Sequence, residues 1–531
     1  MARMNIVIGS GPAGTACAAA LLARGEPVRM LDGGLTLEPE RAKLVEKFRR
    51  SQPADWTATD LAAYQSGMNP DVGGVPTKLV YGSDFPYREA DERLGVHYQN
   101  VGLRPSLAKG GLSNVWGAAM LPFVERDLKG WPLSSTALAP HYSAVLPLTG
   151  LAACRDNLEK FFPLYTNTPT SLRPSQQAQQ LLDTLTRHQT ALAGAGIHFG
   201  QSRLAVRGNL PGENSGCIYC RLCMYGCPYG HIYTSADTVT QLQLNPNFRY
   251  EPGALIHRVC ESAAGVEIFG QDLATGKPQQ WHGDRVFIAA GTIATTRILL
   301  RSLEAYDQTA WLKDSQYFLL PLLLLKRTRG ATRESLHALS QIFLELFTPD
   351  GPEQTTHVQI YSNSDLVSGA IANTFGPLQR PLAWVMRDLQ ERMLVAQGFL
   401  HSDHSSRIAV RLKKENADEP ERLELKAEFN PAARSEVQRV VRKLTRHTRK
   451  LGALPLPVML KFAEPGRSFH TGGTFPMSRQ PQGFQTDLLG RLPGWNRVHA
   501  VDATIFPSIP ATTITFTVMA NAHRIGSEAG R

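Results

Sequence analysis

Four cysteines fall within eleven residues of the chain, and their spacing carries the most specific chemistry in the sequence. Cys217, Cys220, Cys223 and Cys227 follow the pattern C-x2-C-x2-C-x3-C and are followed by a proline. Bacterial ferredoxins use this spacing to hold iron-sulfur clusters through thiolates. We therefore predict that these four residues ligate a [4Fe-4S] or [3Fe-4S] cluster, with zinc and unligated thiols as the alternatives.

Three further cysteines lie outside this segment. Cys17 falls in an alanine-rich stretch and is expected to be a small packing residue. Cys154 and Cys260 are candidates for a remote cluster ligand. No secretory signal is legible at the start of the sequence, which favours metal ligation over a disulfide framework.

A glycine-rich turn near the first residue predicts a dinucleotide site. An apolar run at 5–8, typical of a strand, is followed by Gly9, Gly11 and Gly14 and then by a helix. Gly9 permits the turn, Gly11 lets the backbone approach a pyrophosphate, and Gly14 allows close packing of the helix on the strand. The helix N-terminus adds N–H groups for the phosphates. Asp32, at the end of the second strand, can accept hydrogen bonds from a ribose diol, but this unit alone does not separate FAD from NAD.

Later segments resemble the glucose-methanol-choline (GMC) family of FAD-dependent oxidoreductases, in the order in which that family has them. The loop at 109–117, with Gly111, Ser113 and Asn114, resembles the loop that lies against the flavin ring. The family often has a glycine where this chain has Ala118. The segments at 131–142 and 284–300, the second containing Gly291, resemble the helix leading away from the cofactor and a strand-turn-helix that returns to it.

The C-terminal part of the resemblance is the most specific. Residues 468–477 match the family's active-site histidine loop through His470, and 501–507 match its aspartate strand through Asp502 and Ala503. The segment 510–517, which includes Thr515, precedes a helix predicted from 518 to about 525. In the family the N-terminus of this helix points at the flavin, where reduction builds negative charge.

The resemblance implies bound FAD, with His470 as the base that takes the substrate's hydroxyl proton. Family members usually have a second histidine or an asparagine where this chain has Thr513, whose hydroxyl forms hydrogen bonds but is a poor base. His401 and His404 could complete the site, although the reading as ordinary loop residues is favoured.

The function expected from these features is that of a dehydrogenase. It would oxidise a hydroxyl of a sugar, polyol or other alcohol to a carbonyl and pass electrons through the cluster to an acceptor protein or quinone. An alcohol oxidase that uses oxygen is the first alternative. A flavoprotein that relays electrons without catalysis is the second, and neither the substrate nor the acceptor can be named from the sequence.

These motifs require an α/β fold, with a Rossmann-like FAD-binding domain and an α+β substrate-binding domain. We expect the FAD domain at 1–302 with a cysteine-rich insert at 214–232, the substrate domain at 303–465, and a return to the FAD domain at 466–531. The apolar run at 318–325 indicates a buried strand. After 430–431, apolar residues at helical spacing predict an amphipathic helix that ends at Gly452, and its basic face is either solvated or a docking surface for an acidic partner.

Composition limits the remaining classes. The chain has 531 residues, 42% apolar and 19% charged, and no apolar run approaches the roughly 18 residues of a membrane span. Its net charge of +10 comes from scattered basic residues without a nucleic-acid module, so no nucleic-acid partner is expected. The expected location is cytoplasmic, although export with a partner subunit is an open alternative.

Overall fold

The computed structural model describes residues 4–67, 77–209, 215–347, 354–363, 383–414 and 421–530. Its strands are β1 Asn5–Ile8, β2 Val28–Asp32, β3 Val96–Gln99, β4 Ile197–Gln201, β5 Phe248–Pro252, β6 Ala254–Ser262, β7 Gly265–Asp272, β8 Pro278–Gly283, β9 Arg285–Ile288, β10 Thr309–Asp314, β11 Tyr317–Leu324, β12 Ile342–Leu346, β13 Thr356–Tyr361, β14 Met393–Phe399, β15 Arg407–Lys413, β16 Arg422–Glu428, β17 Ala453–Pro455, β18 Lys461–Phe462, β19 Thr471–Gly472 and β20 Val498–Ala500.

The α-helices are α1 Pro12–Ala23, α2 Pro39–Arg49, α3 Ala58–Tyr64, α4 Ala90–Arg93, α5 Ser135–Thr149, α6 Gln176–Arg187, α7 Gln189–Gly194, α8 Ser235–Leu242, α9 Thr292–Ser302, α10 Ala383–Gln390, α11 Ala432–Arg446, α12 Thr448–Leu451 and α13 Thr515–Glu528. Short 3₁₀ helices lie at Pro53–Asp55, Gly111–Asn114, Asn157–Lys160, Leu222–Tyr225, Ala331–Arg333, Ser402–His404, Pro457–Met459 and Ala503–Ile505. Within the described ranges, no helix combines the length and the apolar character needed to cross a bilayer.

A parallel sheet in the order β20-β9-β1-β2-β5 carries the glycine-rich turn. All four residues of β1 are buried, as expected for a central strand of a sheet covered on both faces. Helix α1 begins at Pro12, whose fixed φ suits a first helical position. It packs so closely on α13 that a Cβ at Gly526 would lie 2.8 Å from the carbonyl oxygen of Cys17. Cys17 is fully buried there, in agreement with its predicted packing role.

A second, antiparallel sheet has the order β17-β11-β14-β13-β12-β4, with β18 also paired to β11. Its outer face packs against α6 and α11, and the buried face of α11 contributes Val437, Val440 and Leu444 to that core. The amphipathic helix predicted to end at Gly452 thus forms, but as two helices, α11 and α12, with a break at His447. The apolar run at 318–325 forms β11, but Leu319 and Pro321 are only half-buried, so the expectation of a wholly buried strand was wrong for one of its faces.

Two smaller sheets complete the fold, in the orders β19-β10-β15-β16-β3 and β6-β7-β8. Strands β3 and β4 precede residue 303, yet they pair with β16 and β12, which follow it. The predicted domain boundaries stay a prediction. The predicted fold class, an α/β fold with a parallel sheet and antiparallel sheets, is confirmed.

Candidate active site

A cavity of about 1150 Å³ lies between the parallel sheet and the antiparallel sheet that contains β11, β13 and β14. One wall is made of turns: the Gly9 turn, the loop that contains Gly111, and the loops around Gly291 and Asp502. The opposite wall is made of side chains from β11, β13 and β14. Residues that are far apart in the chain therefore meet around one enclosed space of a size suited to a large ligand.

The Gly9 turn is built so that its backbone comes close to its neighbours and still leaves space toward the cavity. Gly9 has φ +99°, and a Cβ there would lie 2.4 Å from the carbonyl oxygen of Ala289. A Cβ at Gly14 would lie 2.0 Å from the carbonyl oxygen of Gly9. At Gly11 a Cβ would meet nothing within 4 Å, and no side chain caps the start of α1. The first N–H groups of α1 thus border open space beside Gly11, as a phosphate site requires.

Asp32 lies at the cavity wall at the end of β2, where its carboxylate is already engaged by protein groups. It accepts hydrogen bonds from the Ser10 hydroxyl at 2.6 Å and from the Tyr250 hydroxyl at 2.8 Å. Burial raises the pKa of Asp32, while these hydrogen bonds lower it. Ser10 Oγ also accepts from the N–H of Gly110 at 2.8 Å, so it ties the first turn to the second loop. Sequence reasoning missed Ser10, although its place inside the glycine fingerprint was a usable signal, and the ribose role of Asp32 stays a prediction.

The second loop holds its shape through its own polar side chains. The Ser113 hydroxyl donates to the carbonyl of Gly110 at 2.6 Å, and Asn114 Nδ2 donates to the carbonyl of Gly111 at 2.7 Å. Gly111 and Ser113 line the cavity, whereas Asn114 is not among the described lining residues. Ala118 adopts φ +58°, a left-handed conformation that explains why a glycine suits this position.

Asp502 joins the C-terminal loop to the start of α9. One carboxylate oxygen accepts from the N–H of Gly291 at 3.0 Å and from the Thr295 hydroxyl at 2.6 Å, and the other accepts from the N–H of Thr504 at 2.9 Å. Burial raises the pKa of Asp502, and these bonds oppose that rise. Ala503 and Thr515 line the cavity beside it. Helix α13 begins at Thr515, three residues before the predicted start, so its first turn lies at the cavity wall.

His470 faces the cavity from a loop that is fixed by a buried carboxylate. Asp314 accepts from the N–H of Gly466 and from the Ser468 hydroxyl, both at 2.7 Å, and Ser468 Oγ accepts from the N–H of His470 at 2.9 Å. The imidazole stacks on Phe399 with ring centroids 4.9 Å apart. Burial, with a smaller contribution from His357, lowers the pKa of His470 to about 3. The ring is therefore neutral at neutral pH and has an unprotonated nitrogen.

Thr513 lines the same cavity as His470 and is 2% exposed. Its Oγ1 accepts a hydrogen bond from the N–H of Leu121 at 3.0 Å, which leaves the hydroxyl proton available for donation. His401 and His404 do not line the part of the cavity that the structure describes. The N–H of Asp403 donates to His401 Nδ1 at 3.1 Å, so His401 caps the short helix Ser402–His404. This contact agrees with the interpretation of His401 and His404 as ordinary loop residues.

The four clustered cysteines line one small cavity next to the large one. Cys217, Cys223 and Cys227 each accept a backbone N–H at 3.4 Å through sulfur. Burial is the main cause that raises the pKa of Cys217, Cys220 and Cys223 to about 12, so these thiols are protonated in the protein without a metal.

Metal binding at these cysteines is not confirmed. Among the described residues, no three or more histidine, cysteine, aspartate or glutamate side chains form a group that could hold a metal ion. The remote ligands proposed from the sequence do not reach this place: the Cys154 thiol donates to Gln201 at 2.9 Å, and Cys260 is exposed on β6. The spacing of the cysteines therefore remains the main evidence for a cluster.

Comparison with known proteins supports the class of the protein. Residues 404–522 match the family described as GMC oxidoreductase. The matched segment is similar to the C-terminal domain of that family and includes His470, Asp502 and Thr513. The predicted enzyme class, an oxidoreductase, is thereby confirmed.

The whole chain resembles a solved structure, the pyridoxine 4-oxidase from Mesorbium loti, with a TM-score of 0.60 and 14% identity. The match covers 99% of this chain and 98% of that one, so the two proteins share a fold from end to end. None of the curated protein sequences matches this chain.

The residues around the cavity fit FAD. The open space beside Gly11 and the uncapped start of α1 suit a pyrophosphate, and the cavity continues from there to His470 and Thr513. Gly111 approaches Gly11 from the facing loop, where a Cβ on Gly111 would lie 3.6 Å from the Cα of Gly11. Backbone atoms rather than bulky side chains thus border this part of the cavity, as an extended dinucleotide requires.

Proposed function

We propose that the protein is an FAD-dependent dehydrogenase that oxidises a hydroxyl of a sugar, polyol or other alcohol to a carbonyl. The observation that supports this most directly is the geometry of one cavity. It is lined by a turn at Gly11 with open space for a phosphate, by the neutral imidazole of His470 and by the hydroxyl of Thr513. Bound FAD supplies an acceptor for the hydride of the carbinol carbon.

The protein's own residues would handle the proton and the alignment of the substrate. His470 Nδ1 is buried and has no hydrogen-bond partner among the described residues, which leaves Nε2 to take the hydroxyl proton. Thr513 would donate a hydrogen bond to the substrate oxygen and hold it against His470. The first turn of α13, at Thr515, directs its N–H groups toward the place where negative charge would develop.

An anaerobic panel of sugars, polyols and simple alcohols tests this function. Bleaching of the flavin band by at least one class of alcohol, with release of the matching aldehyde or ketone, is the expected result. A flavin that none of these compounds reduces would overturn the proposal and favour the non-catalytic relay.

We further propose that an iron-sulfur cluster bound by the four clustered cysteines passes electrons singly to an acceptor protein or quinone rather than to oxygen. The spacing of the thiols supports this, and so does their position: the N–H of Ala338, a residue of the large cavity, donates to Cys223 Sγ. Met224, the next residue, also lines the large cavity. A group held by these thiols would therefore lie directly behind the cavity wall.

Iron and acid-labile sulfide analysis with EPR, on protein prepared without oxygen, tests the cluster. We expect about three to four iron atoms per chain, lost in a Cys220→Ala Cys223→Ala double variant that keeps its flavin. A Cys154→Ala variant is the matched control and should keep its iron. Iron below about one atom per chain, or iron undiminished in the double variant, would overturn the cluster at this site.

A second candidate function is that of an alcohol oxidase, because one solved structure that resembles this chain is named as an oxidase. Photoreduction of the flavin without oxygen, followed by exposure to air, separates the two. An oxidase would reoxidise within seconds and release hydrogen peroxide, whereas the proposed dehydrogenase would reoxidise slowly in air and rapidly with a quinone or a one-electron dye.

A further inference from the structure

The sheet wall of the cavity presents its side chains in rows that run outward from His470. Successive residues of a strand point to opposite faces, and residues paired across strands point to the same face. The innermost row contains Phe399 of β14, on which His470 stacks, with its cross-strand partner Tyr317 on β11. Each further row lies two residues along the strands, or about 7 Å farther from His470.

The second row is polar and the following rows are mostly apolar. Gln397 pairs with Gln359 in the second row, beside Leu319 and its partner on β18, Lys461, which also lines the cavity. The third row contains Pro321, Val395 and Tyr361, and the fourth contains Leu323 and Met393. The mostly apolar part of the wall therefore begins about 14 Å from the histidine row and extends to about 20 Å from it.

The apolar wall continues to the surface of the protein. Strand β17 pairs with the outer edge of β11 and places Leu454 beside Leu323, and Leu325 follows on the same face. Leu454 is 38% exposed and Leu325 46% exposed. The turn after β17 brings Met459 to the cavity wall and leaves Val458 94% exposed. We call the cavity-lining residues Leu319, Pro321, Val395 and Met393 the apolar track, and Leu323, Leu325, Leu454, Val458 and Met459 its rim.

The polar row beside the track is held in one arrangement by a buried hydrogen-bonded pair. His357 Nδ1 lies 2.5 Å from Glu345 Oε1, and both side chains are fully buried. Gln359 Nε2 contacts His357 Nε2 at 3.3 Å, and Gln359 Oε1 accepts from the Tyr361 hydroxyl at 3.0 Å. Tyr361 thus directs its proton to Gln359 rather than to a ligand, and the third row offers little to a polar substrate.

This wall is a poor match for a compound with many hydroxyl groups. A buried hydroxyl without a hydrogen-bond partner destabilises the complex, and such costs accumulate along a sugar or polyol that lies on the apolar track. An apolar chain on the same surface would instead bury apolar area on both partners, which stabilises the complex.

We propose that the substrate is an alcohol whose reacting carbon terminates an elongated apolar body. The hydroxyl would lie at His470 and Thr513, and the body would extend along the apolar track to its rim. This inference rests on the proposed function for the identity of the reacting end, and it narrows the alcohols of that proposal to lipophilic ones.

A series of saturated primary alcohols from four to sixteen carbons, together with glycerol and sorbitol, tests the inference on the flavin-loaded protein. Two readouts are recorded without oxygen: the perturbation of the flavin absorption band, which reports binding, and its bleaching, which reports oxidation. We expect binding to tighten by roughly threefold for each added methylene until the chain reaches the rim. Glycerol and sorbitol should bind far more weakly than the ten-carbon alcohol.

A pair of variants with the same substitution localises the effect. Met393→Gln, in the fourth row of the track, should weaken binding of the longest alcohols by roughly tenfold and leave the four- and six-carbon alcohols unchanged. Met4→Gln is the matched control, because Met4 is 39% exposed and does not line the cavity in the described structure. It should leave the whole series unchanged, and equal flavin content and thermal unfolding would show that both variants fold.

The two readouts separate failure of this inference from failure of the proposed function. Binding that does not depend on chain length, or sorbitol that binds as tightly as the long alcohols, overturns the apolar track even if oxidation occurs. Long alcohols that bind with the expected trend but never bleach the flavin leave the track supported and overturn the alcohol-oxidising function.

Discussion

The two walls of the cavity are constructed in different ways. We call the wall formed by the Gly9 turn and the loops around Gly111, Gly291 and Asp502 the cofactor wall, after its proposed ligand. There, turns bring backbone atoms so close together that a Cβ at Gly9 or Gly14 would overlap a carbonyl oxygen, and buried carboxylates such as Asp502 hold the turns in place. We call the opposite wall, formed by β11, β13 and β14, the substrate wall, after its proposed role. Its backbone is paired within a regular sheet, and only the side chains of alternate residues reach the cavity. The first wall depends on its residue types to keep its shape, whereas the second keeps its shape while its side chains vary.

Substitutions of glycines in the cofactor wall should have the largest effects, on folding and on flavin content. We predict that Gly14→Val will not yield folded protein, because its Cβ would lie 2.0 Å from the carbonyl oxygen of Gly9. Gly11→Val should fold but contain no flavin, because the structure has room for the side chain and bound pyrophosphate does not. Flavin absorbance per chain and thermal unfolding separate the two cases. Full flavin content in Gly11→Val would contradict the placement of the pyrophosphate.

Removal of the base should have the next largest effect. His470→Ala is expected to slow flavin reduction by about a hundredfold or more with FAD still bound, since loss of a general base typically costs that much. Stopped-flow reduction by a saturating alcohol measures it. His404→Ala, outside the described cavity lining, is the control and should reduce at the wild-type rate. Unchanged kinetics in His470→Ala would assign the proton to another group.

A smaller effect is expected on the free energy of unfolding, from relief of backbone strain at Ala118. Ala118 has φ +58°, which costs an alanine about 1–2 kcal/mol, so Ala118→Gly should leave the free energy of unfolding unchanged or raise it by up to about 1 kcal/mol. Ala119→Gly is its neighbour, is also buried and lacks a positive φ, and it should lose about 1 kcal/mol. Denaturant titration measures both, and equal losses would show that Ala118 is not strained.

The smallest expected effect is in the pH dependence. Because burial lowers the pKa of His470 to about 3, the imidazole stays unprotonated as the pH falls from 8 to 5, and its protonation begins only near the lower value. Flavin reduction at saturating substrate should therefore change by less than about twofold over that range through this residue. A loss of rate centred near pH 6.5 would show that the bound enzyme restores an ordinary histidine pKa.

Close approach of the backbone explains why the cofactor wall could be read from the sequence. Gly9, Gly14, Gly291 and Asp502 stand in short segments where few residue types are tolerated, and their roles follow from local spacing. Ser10 lies inside the same glycine fingerprint, but the sequence does not show that it contacts Asp32 and the N–H of Gly110, the second of which is distant in the chain. A pairing between distant segments has no local signature.

The α/β fold class, the glycine-rich turn, the loop that contains His470 and the spacing of the four cysteines could be recognised in the sequence, because each depends on residues within one short segment. Tertiary structure alone decided that one face of β11 lines the cavity. The apolar run at 318–325 suits a strand buried on both faces equally well, and only the strands paired beside it create a cavity on one of them. It likewise decided which histidine faces the cavity, since His470, His401 and His404 are brought to their positions by contacts between segments that the chain keeps far apart.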